Sequence, residues 1–173
     1  MDFEGIYIEY QRLVFNLALQ YVQNIEDAEE ITQDVFLKVY KHLSTFKQQS
    51  SLKTWIYRIT INQSLDFIKS KSNKTRRFFT ALFTDYESTL PAEAVNFNHP
   101  GIALENKEAI ETIFRAINQL ADKQKTVIIL LKIEHKSQAE AAEIMQLNVK
   151  ALESLFQRAK KNLEINLNTK GNL

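Results

Sequence analysis

The 173-residue chain has no cysteine, two prolines, three glycines and one tryptophan. Without cysteine there are no disulfides, no thiolate metal sites and no thiol nucleophile, a composition that fits a reducing compartment. Three glycines do not make a glycine-rich phosphate loop, so nucleotide hydrolysis is not expected. His42, His99 and His135 are scattered, without metal-ligand spacing, so neither metal nor cofactor is expected. No Ser-His-Asp, Cys-His or paired-carboxylate arrangement stands out, and no catalytic activity is expected. No apolar run approaches the roughly 20 residues needed to cross a bilayer. The first residues, MDFEGIYIEY, lack the basic start of a signal peptide.

The few breakers sit at punctuating places. Gly5 and Gly171 lie near the ends, and Pro91, Pro100 and Gly101 lie together in the middle. Everything else reads as helix, with no repeat and no alternating strand pattern. The expected fold is all-α: two small helical domains joined by a linker, the second a helix-turn-helix. The domains are expected at 1–77 and 105–173, with the linker at 78–104. Part of the linker, around Phe78, Phe79, Leu82, Phe83 and Tyr86, is apolar enough to pack or add a short helix.

Net charge is only +1, but it is unevenly distributed. Residues 1–50 carry net −4, residues 51–80 net +6, residues 81–121 net −4 and residues 122–173 net +3. Alternating blocks suggest two kinds of partner surface. A first amphipathic helix is marked by Phe3, Tyr7, Tyr10, Leu13, Val14, Leu17, Ala18 and Tyr21. Asn24 is expected to cap a second helix, over about 26–43, with Ala28, Ile31, Val35 and Val39 as its core stripe. Its first two turns are crowded with Glu26, Glu29, Glu30, Gln33 and Asp34. The helix dipole accounts for two or three of these acids. The density also makes a dock for an Arg-rich helix.

The loop 44–51 leads into a long helix from Ser51 to Arg77. Leu52, Trp55, Ile56 and Ile59 share one side of it; Tyr57, Ile61, Leu65 and Ile68 share the other. A helix apolar on two sides is central, with neighbours on both. Asn62, Gln63 and Asp66 follow on the first side, then a basic exit. Alone, this is a buried helix with a solvated end. Farther on, Ile110, Ile113, Phe114, Ile117 and Leu120 form one helical face, and Asp122 is expected to cap the next helix. Ser137-Gln138-Ala139-Glu140 is a capping box. A short helix to about Met145, a tight connection at 146–148 and a longer helix over 149–167 make a helix-turn-helix pattern.

At this point the residues resemble the extracytoplasmic-function (ECF) sigma factors of bacterial RNA polymerase. DAEEITQDVF at 27–36 is similar to that family's core-binding helix. LKTWIYRI at 52–59, with Asn62 and Asp66, is similar to its promoter-melting helix, and 137–163 to its helix-turn-helix. The resemblance implies that Asp27, Glu30, Gln33 and Asp34 grip the clamp helices of core RNA polymerase. It implies that Phe46, Lys47, Trp55, Arg58, Asn62 and Asp66 open the minus-ten element and hold an unstacked base. It implies that Lys150, Ser154, Gln157, Arg158 and Lys161 read duplex promoter DNA at the minus-thirty-five element. An anti-sigma factor as partner and a cytoplasmic location are implied as well. The chain departs from the family at Gln146, where the turn often has Gly, and at Ala151, Glu153 and Leu155, which replace a threonine and two cations. Glu153 is expected to pair with Lys150 or Lys160 rather than accept from a cytosine.

Overall fold

A computed structural model describes residues 2–46, 49–82 and 107–168, with side chains in 74–82 and at 107 left aside. Lys47 and most of the expected linker fall outside the described residues. The described residues form helices and turns only. We number the α-helices α1 (Phe3–Val22), α2 (Ile25–His42), α3 (Leu52–Leu82), α4 (Lys107–Asn118), α5 (Asp122–Ile128), α6 (Gln138–Met145) and α7 (Val149–Asn168).

Local chemistry fixes the first three. The Asp2 side chain accepts from Glu4 N at 3.3 Å and caps α1. Gln23 ends that helix in the left-handed region, at φ 51°. Asn24 follows at once and caps α2, its Oδ1 accepting from Asp27 N at 2.9 Å. A turn so short makes α1 and α2 antiparallel neighbours. Ser51 caps α3, its hydroxyl accepting from Thr54 N at 3.0 Å. Thr60 and Ser64 are fully buried within α3. Each donates its hydroxyl to a carbonyl four residues back, Ile56 O and Thr60 O, both at 2.8 Å. Their polar atoms are therefore satisfied inside the core.

The two apolar sides of α3 enter two different cores. Leu52, Trp55, Ile56 and Ile59 pack with Val14, Ala28, Ile31, Val35 and Val39 of α1 and α2. Tyr57, Ile61, Leu65 and Ile68 pack with Leu17 and Tyr21 of α1 and with the C-terminal domain, including Ile117, Val127, Leu130, Ala142 and Leu152. The central helix is thus shared. It completes the N-terminal bundle and serves as the floor on which the C-terminal helices rest.

Three expectations are corrected, and one feature, a π-helical turn, was not foreseen. α3 continues to Leu82, into the expected linker. Asp122 is the first residue of α5 and not its cap, which is Ala121 without a side-chain bond; Asp122 instead pairs with Lys69 at 2.9 Å. The helix after Asp122 widens into a π-helical turn at Ile129–Ile133. Glu153 makes no ion pair among the described residues; Lys160 lies over the Phe156 ring at 5.9 Å, at the outer limit of about 6 Å for such a contact.

Candidate nucleic-acid and polymerase interfaces

The N-terminal bundle presents a cleft at the junction of α2, α3 and the loop between them. Its volume is about 360 Å³, and Lys38, His42, Phe46, Trp55 and Arg58 are among its walls. A 3-10 turn at Leu43–Thr45 brings the chain out of α2, and Phe46 N bonds back to Leu43 O at 3.3 Å. That places the Phe46 ring 4.9 Å from the Trp55 ring, tilted by 32°. Trp55 is half-buried, with one part of its ring on the bundle core. Two aromatic faces beside cationic groups can stack an unpaired base and meet a phosphate. Phe46, Trp55 and Arg58 were legible as candidates in the sequence. Lys38 and His42 were not, because they belong to α2 and reach the cleft only through the packing of α2 on α3.

Asn62 and Asp66 are exposed farther along α3. They do not line the aromatic cleft. Asn62 borders a second cleft, of about 340 Å³, between α3 and the C-terminal domain.

The four residues expected to meet the polymerase are split. Glu30 and Gln33 are exposed and lie one turn apart on the outer face of α2. Asp27 and Asp34 turn toward α3. Asp27 Oδ2 is 3.0 Å from Lys71 Nζ, and Asp34 Oδ2 accepts from Gln63 Nε2 at 2.7 Å. Lys38 Nζ donates to the same Gln63 side chain. The exposed stripe of α2 continues instead through Leu37 and Tyr40, which are 57% and 66% exposed. Apolar groups on an acidic stripe were invisible to a motif reading of 27–36.

In the C-terminal domain, Ser137 and Glu140 close the capping box: Ser137 Oγ accepts from Glu140 N at 3.2 Å, and Ser137 N donates to Glu140 Oε2 at 2.9 Å. Gln146 ends α6 in the left-handed region, φ 55° and ψ 43°, the conformation that the family's glycine suits. Asn148 then caps α7, its Oδ1 accepting from Ala151 N at 2.7 Å. Lys150, Ser154, Gln157, Arg158 and Lys161 are all exposed on α7, and Lys150, Ser154, Gln157 and Arg158 line one shallow depression together with Glu153. Leu155 is buried in the domain core, so the missing cation at that position is not a gap in the exposed face.

Comparison with known proteins matches these two units separately. Residues 6–74 match the pattern of Sigma-70 region 2, and residues 110–163 match that of Sigma-70, region 4. The chain belongs to the sigma-70 family. As a sigma factor it falls with the ECF group. It is 29% identical to the ECF RNA polymerase sigma factor SigW of Bacillus subtilis, over 89% of this chain and 82% of that protein. It is 26% identical to the ECF RNA polymerase sigma-E factor of Escherichia coli, over 94% and 84%. Among solved structures, the sigma factor RpoE of Bartonella quintana, in complex with the anti-sigma factor NepR, superposes with a TM-score of 0.65 at 21% identity, covering 98% of both chains. CnrH, in complex with the cytosolic domain of CnrY, gives 0.64 at 20%, covering 97% of this chain and 88% of that one. No helix of this sigma factor among the described residues is long and apolar enough to cross a membrane.

Proposed function

We propose that this ECF sigma factor divides its work by surface. The outer face of α2, led by Glu30 and Gln33 and flanked by Asp27 and Asp34, docks on the basic clamp helices of core RNA polymerase. The cleft walled by Phe46, Trp55, Lys38 and Arg58 takes one unstacked base of the minus-ten strand, with Asn62 and Asp66 along its course on α3. The face of α7 carrying Lys150, Ser154, Gln157, Arg158 and Lys161 enters the major groove at the minus-thirty-five element. The chain contributes binding and strand opening and no catalytic step of its own. It acts in the cytoplasm, where the polymerase is, and an anti-sigma factor is a fitting regulator, since both structural neighbours are held by a partner protein.

The observation that carries this reading is the aromatic and basic cleft on α3. Duplex DNA keeps its bases stacked and out of reach. A cleft walled by two packed aromatic rings offers a surface to a base that has left the stack, whose cost of unstacking must be returned by stacking on protein. A regulator that only binds duplex has no use for it.

The test is transcription from fragmented genomic DNA by bacterial core RNA polymerase, with and without the purified chain, followed by start-site mapping. The expected result is a set of chain-dependent starts sharing two upstream motifs. Starts that do not change when the chain is added would overturn the reading.

A further inference from the structure

The face of α7 assigned to duplex DNA carries one acid. Glu153 is exposed and lines a shallow depression with Lys150, Ser154, Gln157 and Arg158 of α7 and Gln138 of α6. Its carboxylate takes no ion pair and no hydrogen bond among the described residues. Local geometry explains why. On a helix a carboxylate pairs best with a cation four residues toward the C-terminus. From Glu153 that place is Gln157, which is neutral. Lys150 lies three residues before it, the weaker order. Arg158 is turned back along its own helix, its Nε donating to Ser154 O at 3.4 Å. Lys160 and Lys132 lie over the Phe156 ring, at 5.9 and 5.5 Å. The helix dipole adds little, because its effect fades after the first turn and Glu153 is the fifth residue of α7.

In the free chain this carboxylate is hydrated. In a major groove it loses water and gains phosphates as neighbours. The phosphates repel it whatever the sequence. The base edges do not treat it alike. Guanine presents N7 and O6 in that groove, and thymine presents O4, all of them acceptors. Adenine presents an amino donor, but its N7 acceptor lies beside it. Cytosine presents its N4 amino group and no acceptor of its own. An ionised carboxylate only accepts. Cytosine is therefore the base that it can bond without meeting an acceptor on the same base.

We propose that Glu153 is a specificity-determining residue: it accepts from a cytosine N4 amino group and so fixes one G·C pair, in one orientation, within the minus-thirty-five element. The inference rests on the sigma-factor reading above, and within it on α7 lying in the major groove. The neighbours fit. Lys150 lies about one turn before Glu153 and Gln157 about one turn after it, and all three line the same depression. A lysine suits guanine and a glutamine suits adenine. The carboxylate thus sits between two side chains able to read neighbouring pairs. Its repulsion from phosphate falls on every sequence and its hydrogen bond on one. Glu153 therefore discriminates chiefly by weakening the wrong sites.

The test is transcription by core RNA polymerase carrying the full chain. The template is a promoter found by start-site mapping, with its minus-thirty-five element randomised. Sequencing the templates that yield transcript reads the base preference at each position. The wild type should favour cytosine on the order of tenfold at one position of one strand, within the usual worth of one good base contact. Glu153→Ala should level that position and leave the others as they were. Glu153→Gln should turn it toward adenine, which an amide bonds through N6 and N7. All three chains should melt alike, since Glu153 is exposed and both replacements suit a helix. A uniform rise in output with every preference unchanged would mean that the carboxylate only repels phosphate, and would overturn the proposal. So would a wild type without a cytosine preference, or a preference that both variants keep. Absence of any chain-dependent transcript would instead strike the sigma-factor reading itself, and this inference with it.

Discussion

Trp55 and Phe46 show how one residue can serve both core and ligand. Trp55 leans on the bundle core with one part of its ring and faces Phe46 with another. Phe46 has no such double duty, since it lies outside the helices. Phe46→Ala should therefore cost single-strand affinity about 1–3 kcal/mol, the worth of one stacked base, with little change in melting temperature. Anisotropy and thermal melting of the same sample check this. Unchanged affinity would remove the cleft from the DNA path.

Lys125 gives a second residue-scale prediction. It is 5% exposed, and burial lowers its pKa to about 8, against a smaller opposing pull from Asp122. In the unfolded chain a lysine titrates near 10.4. Between about pH 8 and 10 the unfolded state therefore holds more protons than the folded one, and stability rises with pH. Above about 10 the sign reverses. Burial raises the Tyr21 and Tyr57 hydroxyls, so the folded state keeps protons that the unfolded state loses. Urea midpoints taken from pH 7 to 11 should rise and then fall. Lys125→Met should flatten the rise and keep the fall. A rise that persists in the variant would place its source elsewhere.

At the scale of the helices, what the sequence showed and what it hid have physical reasons. Periodicity assigned the two sides of α3 to two cores because burial imposes spacing that survives any detail of packing. The caps at Asn24 and Ser137 were legible because capping is local chemistry. The π-helical turn at Ile129–Ile133 was not, since Val127 to Leu131 is apolar at every position and carries no period. The pairing of Asp27 with Lys71 and of Asp34 with Gln63 was hidden too, because it depends on the angle between α2 and α3. So was the burial of Leu155, which a match by position had set among the DNA-facing residues.

Gln146 offers a test on the helix-turn-helix itself. A side chain in the left-handed region costs about 1 kcal/mol against the same residue in ordinary helical backbone, and Gln146 is exposed. Gln146→Gly should raise unfolding free energy by up to about 1 kcal/mol, less the extra freedom that glycine has in the unfolded chain. Urea denaturation reads the change directly. A clear loss of stability would mean that the Gln146 side chain holds the turn by a contact of its own.

As a whole molecule the chain is an acidic-faced helical bundle, a basic helix-turn-helix and a shared central helix. The acidic and basic blocks sum to a net charge of +1 and match the proposed division between a polymerase-facing and a DNA-facing surface. In the proposed reading, like-charge contact with DNA is avoided by placing Glu30 on α2, on the bundle's outer face. Polymerase binding should therefore be separable from DNA binding by substitution on α2 alone.

The most direct measurement is co-elution of the purified chain with bacterial core RNA polymerase on size exclusion, beside Glu30→Arg. Glu30 is exposed and has no side-chain partner among the described residues, so the variant should melt as the wild type does. The wild type should travel with the polymerase, and Glu30→Arg should elute largely free, because it sets like charge against a basic surface. A folded wild-type chain that elutes apart from the polymerase, or a variant that binds equally well, would contradict the assignment of α2 as the docking face.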